Sequence, residues 1–110
     1  MKIKDLLSCG MISHTTPQFL EETFQGVYAS DLMSNVLRSA KSGNLFITTL
    51  ANINAVAVAS LCNLPAIVFC EGKTPSLEMI TKAEEEEIVL LQTDQTMVEV
   101  IVSLINLGAL

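Results

Sequence analysis

The chain has 110 residues, a net charge of −6 and a mean hydropathy of +0.49. Its six lysines and arginines form no cluster, which argues against binding to nucleic acid or to an anionic membrane surface. Three cysteines without C-x-x-C spacing and a single histidine argue against a disulfide framework and a metal site, and they predict a cytoplasmic protein without a cofactor.

The sequence predicts an irregular start followed by a regular alternation of helices and strands. A short helix is expected over residues 3–8, a short strand over 11–14 and a strand over 22–30 that bends at Gly26. Beyond that point, helices are predicted over 31–41, 53–62, 74–85 and from a cap at Thr93 or Asp94 to residue 107, and strands over 45–50, 66–70 and 88–92. No apolar run approaches the roughly 20 residues that cross a bilayer.

Strands that alternate with helices of about ten residues indicate right-handed crossovers. The predicted fold is therefore a three-layer α/β domain over residues 1–110, with a mainly parallel or mixed sheet of about four to five strands and helices on both faces. Ligands of such sheets bind beyond the carboxyl ends of the strands. The candidate binding residues at those ends are Thr48, Thr49, Glu71, Gly72, Lys73 and Asp94.

The segment CEGKTP resembles the end of a phosphate-binding P-loop, because Gly72-Lys73-Thr74 lies between a predicted strand and a predicted helix. The full motif requires a glycine where Ile67 stands, so nucleotide hydrolysis is not expected. Lys73 and the helix N-terminus remain candidates for binding one small anion. The alternative is a plain turn with a solvated lysine.

Four consecutive glutamates, residues 84–87, end the third predicted helix. Adjacent carboxylates point around a helix end rather than toward one ion, and the helix dipole disfavours them there by a few tenths of a kcal/mol. Two interpretations are open, a solvated acidic end that aids solubility and a docking surface for a basic partner.

The segment GVYASDLMS precedes an apolar helical pattern and contains Ser30 and Asp31. A hydrolase serine needs flanking glycines on a strand-to-helix elbow, and these are absent. Helix capping by Ser30 or Asp31 explains both residues but not Tyr28 or Ser34. The candidates for binding a ligand or partner in this segment are Tyr28, Ser30, Asp31 and Ser34. Cys70 is the other candidate nucleophile, but an acidic neighbour disfavours its thiolate.

The final predicted helix is apolar on nearly every side, and such a helix must be covered on nearly every side. Because little chain is left to cover it, the sequence predicts a homodimer. The candidate interface residues are Met97, Val98, Ile101, Val102, Leu104 and Ile105.

The stretch GVYASDLMSNVLRSAKSGNLFITTLANINAVAVASLCNLPAIVFCEGKTPSLEMITKAEEEEIVLLQTDQTMVEV resembles the DRTGG domain, over about residues 24–105. YASDLMS is similar to a YASDLLS-like segment of stand-alone members. Where the family carries Asp-Arg, this chain has Leu50-Ala51-Asn52, and where it carries Thr-Gly-Gly, this chain has Cys70-Glu71-Gly72.

The resemblance implies a regulatory or linking module. Such domains occur alone, in CBS-containing pyrophosphatases and in long phosphate acetyltransferases, and they are related to the N-terminal domain of HPr kinase/phosphorylase. We therefore expect a non-catalytic regulatory or assembly module that binds a small anionic metabolite, a nucleotide or a partner enzyme. The alternative is a small enzyme or transferase that uses Ser30 and Asp31, or Cys70.

Overall fold

A five-stranded sheet forms the centre of the computed structural model, which describes residues 1–110. The strands are β1 (Ile12–Ser13), β2 (Val27–Ala29), β3 (Leu45–Thr48), β4 (Ala66–Phe69) and β5 (Val89–Gln92). The helices are α1 (Met33–Ser39), α2 (Ile53–Leu61), α3 (Leu77–Glu85) and α4 (Met97–Asn106), with 3-10 helices at Ile3–Cys9 and Pro17–Glu21.

The strand order across the sheet is β1-β5-β4-β3-β2. Strands β2 to β5 are parallel to one another, and the short β1 pairs antiparallel with β5. The predicted α/β fold with a mixed sheet is confirmed. β4 and most of β5 are buried on both faces, as their continuous apolar runs predicted.

Helices cover both faces of the sheet unequally. Alternate strand residues point to opposite sides, and each side has a core of 13 buried residues. One core contains Val36 of α1, Val56 of α2 and Met79 of α3, whereas the other contains Leu104 of α4 and Leu6 of the first 3-10 helix. The three crossover helices thus share one face, and α4 lies on the opposite face.

This arrangement affects where a ligand can bind. Open α/β sheets usually bind ligands in a crevice where the strand order reverses. Here β2 to β5 follow one another in chain order and their crossovers all lie on one face. The sheet therefore lacks such a crevice, and a site at the carboxyl ends has to be built from the loops alone.

Three helices begin later than the sequence predicted. α1 begins at Met33 rather than residue 31. α3 is capped by Ser76 instead of Thr74, because the Ser76 Oγ accepts the Met79 amide at 3.2 Å. α4 is capped by Thr96, whose Oγ1 accepts the Glu99 amide at 3.2 Å while the Glu99 carboxylate accepts the Thr96 amide at 3.0 Å. The caps of α3 and α4 each follow an earlier hydroxyl or carboxyl residue that also fits a cap.

α1 also buries less than its apolar pattern predicted. Val36 is fully buried, whereas Leu32 and Leu37 are 57% and 50% exposed. α1 covers the end of the helical layer and packs beside α2. One neighbouring helix cannot cover the full apolar width of α1. None of the helices has the length and apolar character that crossing a membrane requires.

Candidate functional site

The loops that follow β2, β3, β4 and β5 form a continuous edge, which we call the carboxyl rim (residues 30–32, 49–52, 70–76 and 93–96). Backbone hydrogen bonds join its loops. The Glu71 amide of the loop after β4 donates to the Gln95 carbonyl of the loop after β5 at 2.9 Å, and the Cys70 amide donates at 3.0 Å to the carbonyl of Thr48, the last residue of β3. Paired backbone groups of this kind hold the rim in one arrangement.

Asp31 ties the loop after β2 to the end of β3. Its Oδ1 accepts the Thr48 hydroxyl and the Thr49 amide, each at 2.7 Å, and its Oδ2 accepts the Thr49 hydroxyl. Burial alone would raise the pKa of Asp31, but the hydrogen bonds from Thr49 and Thr48 outweigh it, so the pKa lies below its usual value. Asp31 is therefore a charged acceptor that holds two loops together.

The predicted capping role of Ser30 and Asp31 is wrong. The N-cap position of α1 is Leu32, which provides no side-chain cap. The Ser30 Oγ instead accepts the Leu32 amide at 3.0 Å and closes a local turn. The Asp31 carboxylate points to β3, which lies 17 positions further along the chain, so the residues around Asp31 could not indicate its partners.

The loop after β4 depends on backbone conformations that favour glycine. Glu71 and Gly72 both have positive φ angles, 60° and 72°. The Gly72 amide donates to the Thr93 carbonyl at 2.9 Å, and a Cβ at Gly72 would lie 3.2 Å from the Asp94 Oδ1. The structure thus brings Gly72 and Asp94 together, as a shared edge of neighbouring parallel strands predicted.

The side-chain charge of the carboxyl rim is mainly negative. Asp31, Glu71 and Asp94 carry carboxylates, and Lys73 is the only basic side chain in the rim loops. Glu71, Lys73 and Asp94 are exposed. Anions bind beside cations and unpaired backbone amides, so three carboxylates against one lysine disfavour the small anion that the CEGKTP segment suggested.

Cys70, the first rim residue after β4, is fully buried and has no exposed surface. Burial raises the pKa of its thiol to about 11, and the negative charges of Glu71 and Asp31 act in the same direction. The thiol is therefore protonated at neutral pH, and a protonated thiol is a poor nucleophile.

Tyr28 and Ser34 do not join the rim contacts. Tyr28 is half-buried in β2, opposite Phe46 of β3, and packs against the core beneath α1 and α2. Ser34 is exposed in the first turn of α1.

The residues of the predicted dimer interface divide into two groups along α4. Leu104 is fully buried within the chain, and Met97 and Ile101 pack partly against the same core. Val98, Val102 and Ile105 are 71%, 49% and 54% exposed. Leu104 is therefore unavailable to a partner, and the outward stripe consists of the other three residues.

Sequence reasoning missed several polar contacts between distant segments. The amide and hydroxyl of Thr16 both donate to the Glu84 carboxylate, the amide at 2.6 Å. Glu86 accepts the Ser60 hydroxyl at 2.9 Å and pairs with Lys82 at 3.2 Å. Half of the acidic run is thus engaged within the chain. Gln95 was also missed, although the polar run TDQT between a strand and a helix marks its loop.

Comparison with known proteins gives the family. A family model described as HPr serine kinase N terminus matches residues 53–107, half of the chain. The chain belongs to this family. No curated protein sequence matches it.

A solved structure shares the fold of this HPr kinase N-terminal family member. It contains the CBS and DRTGG domains of the regulatory region of Clostridium perfringens pyrophosphatase, complexed with the activator diadenosine tetraphosphate. The TM-score is 0.75 at 14% identity, over 89% of this chain and 43% of that chain. The predicted resemblance to the DRTGG domain is confirmed, and the chain spans less than half the length of that structure.

Proposed function

We propose that residues 1–110 act as one regulatory or assembly domain that is not catalytic and that works in the cytoplasm through contact with other protein chains. The observation that carries this proposal is the engagement of the rim's reactive groups. Ser30 and Asp31 hold turns and loops together, and Cys70 is a buried, protonated thiol. Groups in these roles support a rigid scaffold better than the alternative of a small enzyme or transferase.

The contact surface that we propose first is the outward stripe of α4. Val98, Val102 and Ile105 repeat at the spacing of one helical face, and Glu99 is the only charged residue of α4. The first 3-10 helix lies in the same layer and adds Leu7, which is 39% exposed. A nearly uncharged face suits a second copy of a chain whose net charge is −6, because the copies can meet there with little repulsion.

A nucleotide-responsive module is the second candidate. It is favoured by the structural neighbour from C. perfringens, which is complexed with diadenosine tetraphosphate. The acidic charge of the carboxyl rim argues against it, unless a divalent cation bridges the phosphates to the carboxylates.

A thermal-shift experiment separates the two candidates. The panel contains AMP, ADP, ATP and diadenosine tetraphosphate, each with and without Mg²⁺. A ligand at 100 times its dissociation constant stabilises the folded chain by about 2.7 kcal/mol, which raises the melting temperature by roughly 10 °C for a domain of this size. We expect no shift with any nucleotide. A shift in melting temperature that is lost in Lys73→Ala would establish the second candidate. Chemical turnover of any of these nucleotides, if it is lost in Asp31→Asn or Cys70→Ser, would overturn the proposal of a non-catalytic module.

A further inference from the structure

A groove of about 580 Å³ runs between α2 and α3, on the face opposite α4. It is lined by Ile53, Leu77, Glu78, Thr81, Lys82 and Glu85. Leu77 is 79% exposed, more than any other large hydrophobic residue of the chain, and Ile53 is 36% exposed. Both residues begin their helices, so the apolar end of the groove lies beside the carboxyl rim.

Some polar side chains of the groove already have partners within the chain, and the ones without a partner are acidic. The Thr81 hydroxyl donates to the Leu77 carbonyl at 2.9 Å, and Lys82 pairs with Glu86 at 3.2 Å. Glu78 and Glu85 are exposed and have no ion pair or side-chain hydrogen bond. The net charge that the groove offers to an incoming partner is therefore negative.

The position of Glu85 adds to this interpretation. It is the last residue of α3, where the helix dipole disfavours a carboxylate. Glu84 and Glu86 have partners within the chain, whereas Glu85 has none to offset this cost. Glu78 and Glu85 lie seven positions apart, which is about 10 Å along a helix at 1.5 Å per residue.

We propose that this groove docks a basic amphipathic segment of a partner protein. An apolar side chain of that segment would cover Ile53 and Leu77, and two lysine or arginine side chains about 10 Å apart would pair with Glu78 and Glu85, as two basic residues spaced seven apart on a helix can do. A partner with apolar and basic residues matches the groove in both respects.

A second copy of this chain is a poor occupant. Of its six basic residues, Lys2, Lys4 and Lys82 already pair with glutamates, and the other three, Arg38, Lys41 and Lys73, provide no pair spaced seven apart on one helix. The α2–α3 groove and the α4 stripe are therefore separate surfaces that select different partners. The docking proposal goes beyond the proposed dimer, and either one can fail without the other.

The test uses two synthetic helical peptides of equal length, one composed of leucine and lysine and the other of leucine and glutamate. Binding to the full chain is measured by fluorescence anisotropy at low and high salt, and ¹⁵N chemical-shift changes locate the contact. We expect the Leu/Lys peptide to bind more weakly at high salt, the shifts to concentrate on α2 and α3, and the Leu/Glu peptide not to bind.

Matched variants show whether the named residues carry the contact. Leu77→Ala combined with Glu85→Gln should weaken binding of the Leu/Lys peptide at least about tenfold. The controls are Leu61→Ala, which removes a leucine that is 74% exposed outside the groove, and Glu87→Gln, which removes an exposed carboxylate outside it. All these side chains are exposed, and circular dichroism confirms that each variant is folded. The proposal is overturned if the Leu/Lys peptide does not bind, or if its chemical-shift changes are confined to other surfaces. It is also overturned if the groove variant leaves the affinity for the Leu/Lys peptide unchanged, or if the control variants lose as much affinity as the groove variant.

Discussion

Replacing Asp31 with alanine should destabilise the fold by more than the loss of a helix cap would. The Asp31 carboxylate accepts three hydrogen bonds, and one of the donors, the Thr48 hydroxyl, belongs to a residue with no exposed surface. In the alanine variant the Thr48 hydroxyl still accepts the Leu50 amide at 3.2 Å, but its proton has no acceptor.

The magnitude follows from these contacts. A buried donor without an acceptor costs about 1–3 kcal/mol, and each of the two more exposed bonds from Thr49 adds about 0.5–1 kcal/mol. The expected loss for Asp31→Ala is about 2–5 kcal/mol, against about 1 kcal/mol for a lost helix cap. Asp31→Asn retains one oxygen for Thr48 and the Thr49 amide and loses the acceptor of the Thr49 hydroxyl, so it should cost about 1 kcal/mol.

Urea unfolding followed by circular dichroism measures these free energies. The matched control is Asp94→Ala, because Asp94 is an exposed rim carboxylate without a side-chain hydrogen bond, and we expect a change within about 0.5 kcal/mol. If Asp31→Ala costs no more than Asp94→Ala, Asp31 does not hold the two loops together and the description of the rim is wrong.

Three further predictions concern the same rim. Alkylation, detected by mass spectrometry, should modify Cys70 only after unfolding, whereas the half-buried Cys9 and Cys62 should react in the native chain. Fast labelling of Cys70 in the native chain would contradict its burial. Gly72→Ala should cost about 1–2 kcal/mol of unfolding free energy, because its φ of 72° is left-handed, and a neutral result in urea unfolding would contradict that strain. The folded-state pKa of Asp31 is lowered, so its contribution to stability is complete above the usual aspartate pKa and is lost as the pH falls below it. Between about pH 5 and 3, urea unfolding should therefore show a smaller loss of unfolding free energy for Asp31→Asn than for the wild type. Equal losses would contradict this.

The sequence predicted the sheet well because the relevant signals are local. The continuous apolar runs of β4 and β5 follow from burial on two faces. The α2 segment alternates like a strand, but its length and alanine content favoured a buried helix, and the Thr-Pro pair before α3 marked the approximate start of that helix. The predicted carboxyl ends also coincide, since parallel neighbours share an edge, and Gly72 does lie beside Asp94.

Contacts between distant segments were beyond the reach of local patterns. Ser30 and Asp31 fit a helix cap in their own segment, and only the pairing of β2 with β3 brings Thr48 and Thr49 within reach. Glu84 was considered part of an acidic helix end, but it binds Thr16, which lies 68 positions away. Likewise, the apolar pattern of α4 did not show that Leu104 is covered by the chain itself.

The central claim, association through the outward face of α4, is tested most directly by sedimentation velocity over a range of concentrations. We expect the wild-type chain to be a dimer and Val102→Lys to be a monomer, with the control Leu61→Lys, on the opposite face, still a dimer. A wild-type monomer throughout, or a Val102→Lys variant that associates as strongly as the wild type, would contradict the account.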